Sequence, residues 1–430
     1  MQLLTLNAIA SWISRVFQAI PKKLRPSCLE LLIGCIIAPS GHISDALLVI
    51  EFHNHWNSYY KLIEEAHFSW LAIARAWFQL LLSLTTSIDE KKIVLAVDDT
   101  LVYRSSTKAP GSDIHFDHAK KINRTDFPLS QLFVSLFLIA SHEGRHAAFP
   151  LALQLCRKGG NRSKLEIARD LIHLADKHKN DPREILFLCD AWYTKAPLIA
   201  PLLKQNIHCI GQIRKDAALF LPPVSTGKRG RPKKYGEKLT FERVQELFPL
   251  QTLEIFAYGK KRLFEFYSFQ AKARFLNGEL CQFVWCRFST DGKNTSSWHL
   301  LLSTDTVIDA SAILSHYAQR WAVEPAFNDI KNSFGLSQAW QQTRNVFARW
   351  RCFICLAYGI CALAALLFGG RLSELFPIGW RKGQPMTAGW ASNVLDRIFR
   401  HFNVRSCWDR TLQKMILPQS LLDLRFKKAG

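Results

Sequence analysis

The sequence predicts an α/β fold, a mixed sheet core that a β-rich insertion interrupts and that follows an all-helical N-terminal domain. Two continuous apolar runs, residues 93–97 and 185–189, are typical of central strands that helices cover on both faces. Between them, Ser163-x-x-Glu166 is a capping box that opens an amphipathic helix to about Lys177. These observations place the sheet core in the middle of the chain.

Residues 1–88 are predicted to form the helical domain. Apolar residues recur at helical spacing in three segments that prolines and Gly41 separate, and Ser44 or Asp45 is expected to cap a further helix. The three segments are residues 12–20, 29–37 and 68–84.

The first part of the core is predicted to span residues 89–215, and the second part residues 297–375. After the first strand, two apolar runs predict a hairpin that turns at residues 142–145. The remaining predicted elements are strand 185–190, a helix near 197–203, strand 208–213 and strand 298–302.

Residues 216–296 are predicted to be a β-rich subdomain inserted into the core. A tract rich in glycine, proline and lysine is followed by alternating runs that predict strands at residues 253–258, 263–269 and 281–288. Residues 376–430 are predicted to form a helical tail.

Acidic residues follow both apolar runs of the core. Asp98 and Asp190 each stand where a central strand is predicted to end, and open α/β sheets bind their ligands beyond the carboxyl ends of strands. Either aspartate alone is also explained by a helix cap or a turn. Both together, with a third acidic residue on a later helix, favour a site.

That third residue is Glu324, which lies in a pattern with Tyr317, Arg320 and Lys331. On an ideal helix these four side chains fall within about 60° of one another. Such a face suits a metal-bound phosphate, because the carboxylate binds the metal and the cations bind phosphate oxygens. Pro325 disfavours a helical conformation at Glu324, so the helix either kinks or restarts there.

The contexts of Asp98, Asp190 and Glu324 resemble those of DDE transposases of bacterial insertion sequences. The Tyr-x2-Arg-x3-Glu-x6-Lys spacing is similar to the signature of the insertion-sequence-four group, and the resemblance spans about residues 90–370. It implies an RNase H-like core in which Asp98, Asp190 and Glu324 bind two Mg²⁺ or Mn²⁺ ions. It also implies that Asp98, rather than Asp99, is the ligand.

The same resemblance implies cut-and-paste transposition through a DNA hairpin. The expected partners are terminal inverted repeats and target DNA, bound by a homodimer, and Tyr317, Arg320 and Lys331 would contact phosphates. Trp298 stands where the group places a tryptophan that stacks on a flipped base, although a core tryptophan at a strand start fits equally well. The N-terminal helices either bind the transposon end or serve as a packing domain.

Charge supports a polyanionic partner. Lys and Arg number 56 against 35 Asp and Glu, so the net charge is +21, and the pI is about 9.6. Within the insertion, residues 227–234 resemble an AT-hook whose Arg229 and Arg231 would enter a narrow minor groove. A solvated basic loop is the alternative.

The remaining features predict a cytoplasmic, nucleoid-associated protein without a signal peptide. The eleven cysteines form no disulfide or zinc pattern and are expected to be reduced and mostly buried. Residues 353–370 carry no charge and are long enough to span a membrane, but a core helix is the preferred interpretation. A decayed transposase that only binds DNA and a membrane-associated basic protein are the competing classes.

Overall fold

The computed structural model describes residues 2–87, 91–118, 123, 125–224, 231–257, 260–289, 295–375, 377, 379–381 and 383–418. Its α-helices are α1 (Gln2–Phe17), α2 (Arg25–Ile37), α3 (Ile43–Leu48), α4 (Trp56–Glu65), α5 (Trp70–Leu84), α6 (Lys164–His178), α7 (Ala196–Leu203), α8 (Phe241–Leu247), α9 (Ala310–Gln319), α10 (Val323–Asn328), α11 (Arg344–Leu375) and α12 (Ala388–Phe399).

Its strands are β1 (Lys92–Tyr103), β2 (Asp113–Ile114), β3 (Leu129–His142), β4 (Arg145–Cys156), β5 (Glu184–Cys189), β6 (His208–Ile213), β7 (Leu219–Phe220), β8 (Lys238–Leu239), β9 (Gln251–Ala257), β10 (Lys260–Ala273), β11 (Glu279–Ser289), β12 (His299–Ser303), β13 (Trp408–Asp409) and β14 (Lys414–Met415). The predicted hairpin, now β3 and β4, and the predicted strands β5, β6 and β12 are confirmed to within a few residues.

One mixed sheet contains all of these strands except β13 and β14. Its order is β2-β3-β1-β5-β6-β12-β11-β10-β7-β8, with β4 paired to β3 and β9 paired to β10. Strands β1, β5 and β6 are parallel, whereas β3 and β12 run antiparallel to their neighbours. The strands of the insertion therefore continue the core sheet through β12, instead of forming a sheet of their own.

Strand β1 is longer than predicted. The apolar run ends at Val97, but β1 continues to Tyr103 because antiparallel β3 goes on pairing with it, from Asp98–Ser135 to Tyr103–Ser130. Its parallel pairing with β5 stops at Val97–Cys189. Asp98 thus lies inside β1, yet at the point where the parallel pair opens, and Asp190 lies at the same level.

The segment from Tyr317 to Lys331 departs from α-helical geometry at two places. A 3₁₀ turn (Arg320–Ala322) joins α9 to α10, and a π-helical turn (Asp329–Ser333) follows α10. Pro325 lies in the first turn of α10, where its missing N–H costs no hydrogen bond. The prediction of one ideal helical face is therefore only approximate.

The N-terminal helices pack on α11. Trp12 stacks on Phe368 with ring centroids 5.7 Å apart, and the Trp350 Nε1 donates to the Gly41 carbonyl at 2.8 Å. All 13 residues of α2 are buried. The helical character of residues 2–84 is confirmed, but α4 was not predicted, and His42, not Ser44 or Asp45, precedes α3.

Helix α11 is the one helix of the described residues that is long and apolar enough to cross a membrane, and 78% of its most apolar window is buried within the chain. The predicted core helix is therefore confirmed as a packed element. All eleven cysteines are free, nine buried and two half-buried, as expected. In the predicted helical tail, α12 is followed by the small hairpin of β13 and β14.

Candidate active site

Asp98 and Asp190 lie side by side at the opening of the β1–β5 pair. The last parallel pairing joins the residues just before them, and neighbouring strands are about 4.8 Å apart. The Asp190 Oδ1 accepts hydrogen bonds from the backbone N–H groups of Trp192 (3.0 Å) and Tyr193 (3.1 Å). Asp190 thus organises a turn, as the alternative interpretation proposed, and still presents its carboxylate beside Asp98.

Arg320 joins Asp98 to Glu324. Its Nη1 donates to the Asp98 Oδ2 at 2.9 Å, and its Nη2 lies 3.7 Å from the Glu324 Oε1. The side chains of Arg320 and Asp98 are 13% and 17% exposed, whereas that of Glu324 is 46% exposed. A nearly buried ion pair and an accessible carboxylate therefore meet at one place.

The electrostatics of this place favour a bound cation. Burial raises the pKa of Asp98 to about 7, Arg320 opposes the rise, and the Asp190 and Asp99 carboxylates add to it. The pKa of Tyr193 is raised by burial first and then by the same three aspartates. Mutual repulsion among carboxylates is relieved when a positive charge lies between them.

Asp99 is neutralised from the other face of β1. The Lys164 Nζ lies 3.0 and 3.2 Å from its two carboxylate oxygens and 3.5 Å from the centre of the Trp192 ring. Because side chains alternate along a strand, Asp98 and Asp99 point to opposite faces. This arrangement supports Asp98 over Asp99 as the available ligand. Sequence reasoning missed Lys164, whose only signal was its place directly after the capping Ser163.

The donor set fits a hard divalent cation in part. Asp98 and Asp190 offer adjacent carboxylate oxygens of the type that Mg²⁺ and Mn²⁺ prefer. Within the described ranges, however, no three His, Cys, Asp or Glu side chains are grouped closely enough to hold a metal ion. Two of the three predicted ligands thus lie together, and Glu324 is linked to them through Arg320.

The other signature residues extend the site. The Tyr317 hydroxyl donates to the Gln212 Oε1 at 3.2 Å, and the Arg320 Cζ lies 5.7 Å from the Tyr317 ring centre. Tyr317 and Arg320 line a cavity of about 520 Å³, which His299 also lines. Lys331 lies in the π-helical turn, with its Nζ 5.9 Å from the Phe327 ring centre.

Trp298 packs in an aromatic cluster of the insertion. Its ring centre is 5.1 Å from that of Phe241 and 5.6 Å from that of Tyr267, and the Arg287 guanidinium lies 4.7 Å from it. The next residue, His299, lines the cavity beside Tyr317. Trp298 directly precedes β12, and its aromatic contacts favour a packing role over base stacking.

The basic tract of the insertion is described only in part. Arg229 lies outside the described residues, and Arg231 is exposed. Lys234 donates to the side chain of Asn277, which lies between β10 and β11.

Comparison with known proteins identifies the family. The family described as "Transposase DDE domain" matches residues 89–360, which is more than half of the 430-residue chain, and the chain belongs to this family. No curated protein sequence matches the chain.

Among solved structures, the chain is similar to the cryo-EM structure of the piggyBac transposase synaptic complex with hairpin DNA. The TM-score is 0.37 at 12% sequence identity, and the match covers 83% of this chain and 60% of that chain. A similarity at this level supports no conclusion about activity.

Proposed function

We propose that this protein is a DNA transposase of the insertion-sequence-four group that cuts and joins the ends of its element. The observation that carries the proposal is the Asp98–Arg320–Glu324 ion-pair chain beside Asp190, in a member of the transposase DDE domain family. The core strand order β4-β3-β1-β5-β6, in which only β3 runs opposite to the other four strands, supports an RNase H-like core.

Asp98, Asp190 and Glu324 would hold two Mg²⁺ or Mn²⁺ ions, which activate the attacking oxygen and stabilise the leaving oxygen of the phosphodiester. Arg320 would then exchange its carboxylate partners for a phosphate oxygen, since a guanidinium binds both anions with the same paired geometry. This exchange frees Glu324 to approach the two aspartates. Tyr317 and Lys331 would contact neighbouring phosphates.

The DNA partners are the terminal inverted repeats and the target DNA. The charge of +21 supports binding along an extended polyanion, and Arg229 and Arg231 would add affinity that weakens with salt. Among the N-terminal helices, fully buried α2 is unsuited to reading bases, so an exposed helix such as α4 would do so. A homodimer would bring two ends together, in the cytoplasm at the nucleoid.

The test is a cleavage assay on DNA that carries the inverted repeats found beside the coding region. With Mg²⁺, the wild-type protein should nick at the repeat end, and Asp190→Ala should not. If both proteins bind the DNA and neither cuts it, the protein is a non-catalytic DNA-binding derivative.

The hairpin and the dimer need separate measurements. Denaturing gels should reveal a covalently closed end as a transient product, since a freed 3′-OH attacks the opposite strand. The mass of the complex with two ends should contain two protein chains; one chain per synapsed pair of ends would exclude the proposed homodimer.

A further inference from the structure

A basic cavity lies at the edge of the sheet, separate from the carboxylate site and from the cavity beside Tyr317. It has a volume of about 420 Å³ and lies between the end of β4, the loop before α6 and the first two turns of α11. Among the described residues, four arginines and no acidic residue line it: Arg157, Arg162, Arg344 and Arg351. We call this cavity the arginine groove.

Arg351 is the unusual member of the arginine groove. It is 93% buried (7% exposed), and its Nε has no hydrogen-bond partner in the part of the chain that the structure describes. Its guanidinium lies 5.0 and 5.3 Å from the ring centres of Phe133 and Phe347, which cannot neutralise it. A buried charge without a counter-ion is unfavourable, so this position favours an anionic ligand.

The neighbouring charges reinforce this preference. Within the described part of the chain, Arg157 and Arg344 have no carboxylate within ion-pair distance, and both are exposed. Only Arg162 is paired, with its Nη2 2.9 Å from the Asp170 Oδ2. The N-terminus of the 32-residue helix α11 adds its positive dipole at Arg344.

The arginine groove also lies close to the carboxylates. Leu155, which lines it, pairs with Phe133 of β3, and Phe133 pairs with Thr100 of β1, which lies on the same face of the sheet as Asp98. Two strand spacings, about 10 Å, therefore separate Thr100 from the groove. One strand of B-DNA carries a phosphate for about every 3.4 Å of helix axis, so about three phosphates fall within that distance along the axis.

We propose that the arginine groove binds backbone phosphates of the DNA strand that flanks the cleavage site. This inference rests on the proposed function. Arg351, at the buried end of the groove, would bind one phosphate. Arg157 and Arg344, at its exposed rim, would bind the neighbouring phosphates. The groove would thereby fix the position of the scissile bond relative to Asp98 and Asp190.

The first experiment measures duplex affinity without divalent metal, by fluorescence anisotropy, across about 50 to 200 mM salt. Arg157→Gln with Arg344→Gln should reduce the salt slope by about 1.8, because each lost phosphate contact removes about 0.9. Lys177→Gln with Lys204→Gln is the charge-matched control. These lysines lie at the C-terminal ends of α6 and α7, at the opposite end of the sheet from Asp190, and the control should keep the slope.

A second variant tests the buried arginine directly. Arg351→Met removes an unpaired buried charge while keeping the volume, so it should raise the melting temperature of the free protein and weaken duplex binding. A structural arginine would show the reverse, with a lower melting temperature. That result, or unchanged duplex affinity, would overturn the role of Arg351.

Inorganic phosphate separates the two sources of the ligand. One outcome is that Arg157→Gln with Arg344→Gln keeps the wild-type salt slope while phosphate raises the melting temperature of the wild type and not of this double variant. In that case the groove binds free phosphate, and the DNA assignment is wrong. If neither measurement distinguishes the double variant from the wild type, the groove is not an anion site. If the wild-type protein binds no duplex at all, the proposed function fails first.

Discussion

At the scale of single residues, Arg320 is the side chain that links two carboxylates of the candidate site, Asp98 and Glu324. Its guanidinium occupies the position between Asp98 and Glu324 in which a cation is expected. An arginine keeps its charge under all conditions and forms paired hydrogen bonds with carboxylates or phosphates alike. In the proposed function, the same side chain would pair with the carboxylates before DNA binds and with a phosphate afterwards.

Removing Arg320 should therefore impair cleavage more than folding. Arg320→Ala is expected to slow single-turnover cleavage by about 10²- to 10³-fold, the usual cost of losing one positioned donor. Arg320→Lys keeps the charge but not the paired geometry and should lie between. Circular dichroism melting checks that the variants fold; wild-type cleavage by a folded Arg320→Ala protein would refute the role.

Substitutions of Trp298 distinguish a packing role of this side chain from base stacking. Because its ring packs against Phe241 and Tyr267, Trp298→Ala should destabilise the protein by about 2–4 kcal/mol, and Trp298→Phe should recover most of that loss. Urea unfolding measures both variants. A fall in cleavage at unchanged stability would instead support stacking on a flipped base.

At the scale of elements, the signature segment and α11 show how local sequence limits geometry. The signature spacing suggested one regular helix, whereas the chain uses a 3₁₀ turn, a short α-helix and a π-turn around Pro325. Helix α11, by contrast, is continuous over 32 residues and contacts both the sheet and the N-terminal helices. Of its glycines, Gly359 lies where α11 approaches Trp77 of α5 closely.

Two glycines of α11 should respond to alanine in opposite ways. A Cβ at Gly359 would lie 2.6 Å from the Trp77 ring, whereas a Cβ at Gly370 meets nothing within 4 Å. Gly359→Ala should therefore destabilise by about 1–3 kcal/mol. Gly370→Ala should stabilise by up to about 1 kcal/mol through helix propensity alone. Equal effects in urea unfolding would contradict the close approach of α5 to α11.

At the scale of the whole molecule, the two ends of the described chain are joined by a buried ion pair. Glu30 of α2 is fully buried and accepts hydrogen bonds from the Tyr59 hydroxyl at 2.8 Å and from Arg405 at 3.2 Å. The segment after α12 therefore belongs to the same packed body as the N-terminal helices. No local pattern indicated this pairing, because the partners are 375 residues apart.

Arg405→Met should be among the most destabilising single changes. It leaves the Glu30 carboxylate buried without its cation, and breaking such a pair costs about 3–5 kcal/mol. Arg410→Met, at an exposed position, is the control and should change stability by less than about 0.5 kcal/mol. A loss below about 1 kcal/mol for Arg405→Met, measured by urea unfolding, would mean that the pair contributes little.

Local patterns by themselves determined much of this protein. The apolar runs located β1 and β5, the capping box located α6, and the signature spacing selected Tyr317, Arg320, Glu324 and Lys331. Such signals succeed because they depend on residues within one turn or one strand. The helix α4, the extension of β1 and the roles of Lys164 and Arg351 left no comparable local pattern.

The tertiary structure alone decided which acidic residues of the candidate site are available. Pairing with β3 carries β1 past Asp98, Lys164 from a different element neutralises Asp99, and Arg320 spans the gap to Glu324. Only folding brings these groups within a few ångströms, and electrostatic and hydrogen-bond energies depend on those distances. Spacing along the chain selected the residues, and the packing of strands and helices decided which partners each of them meets.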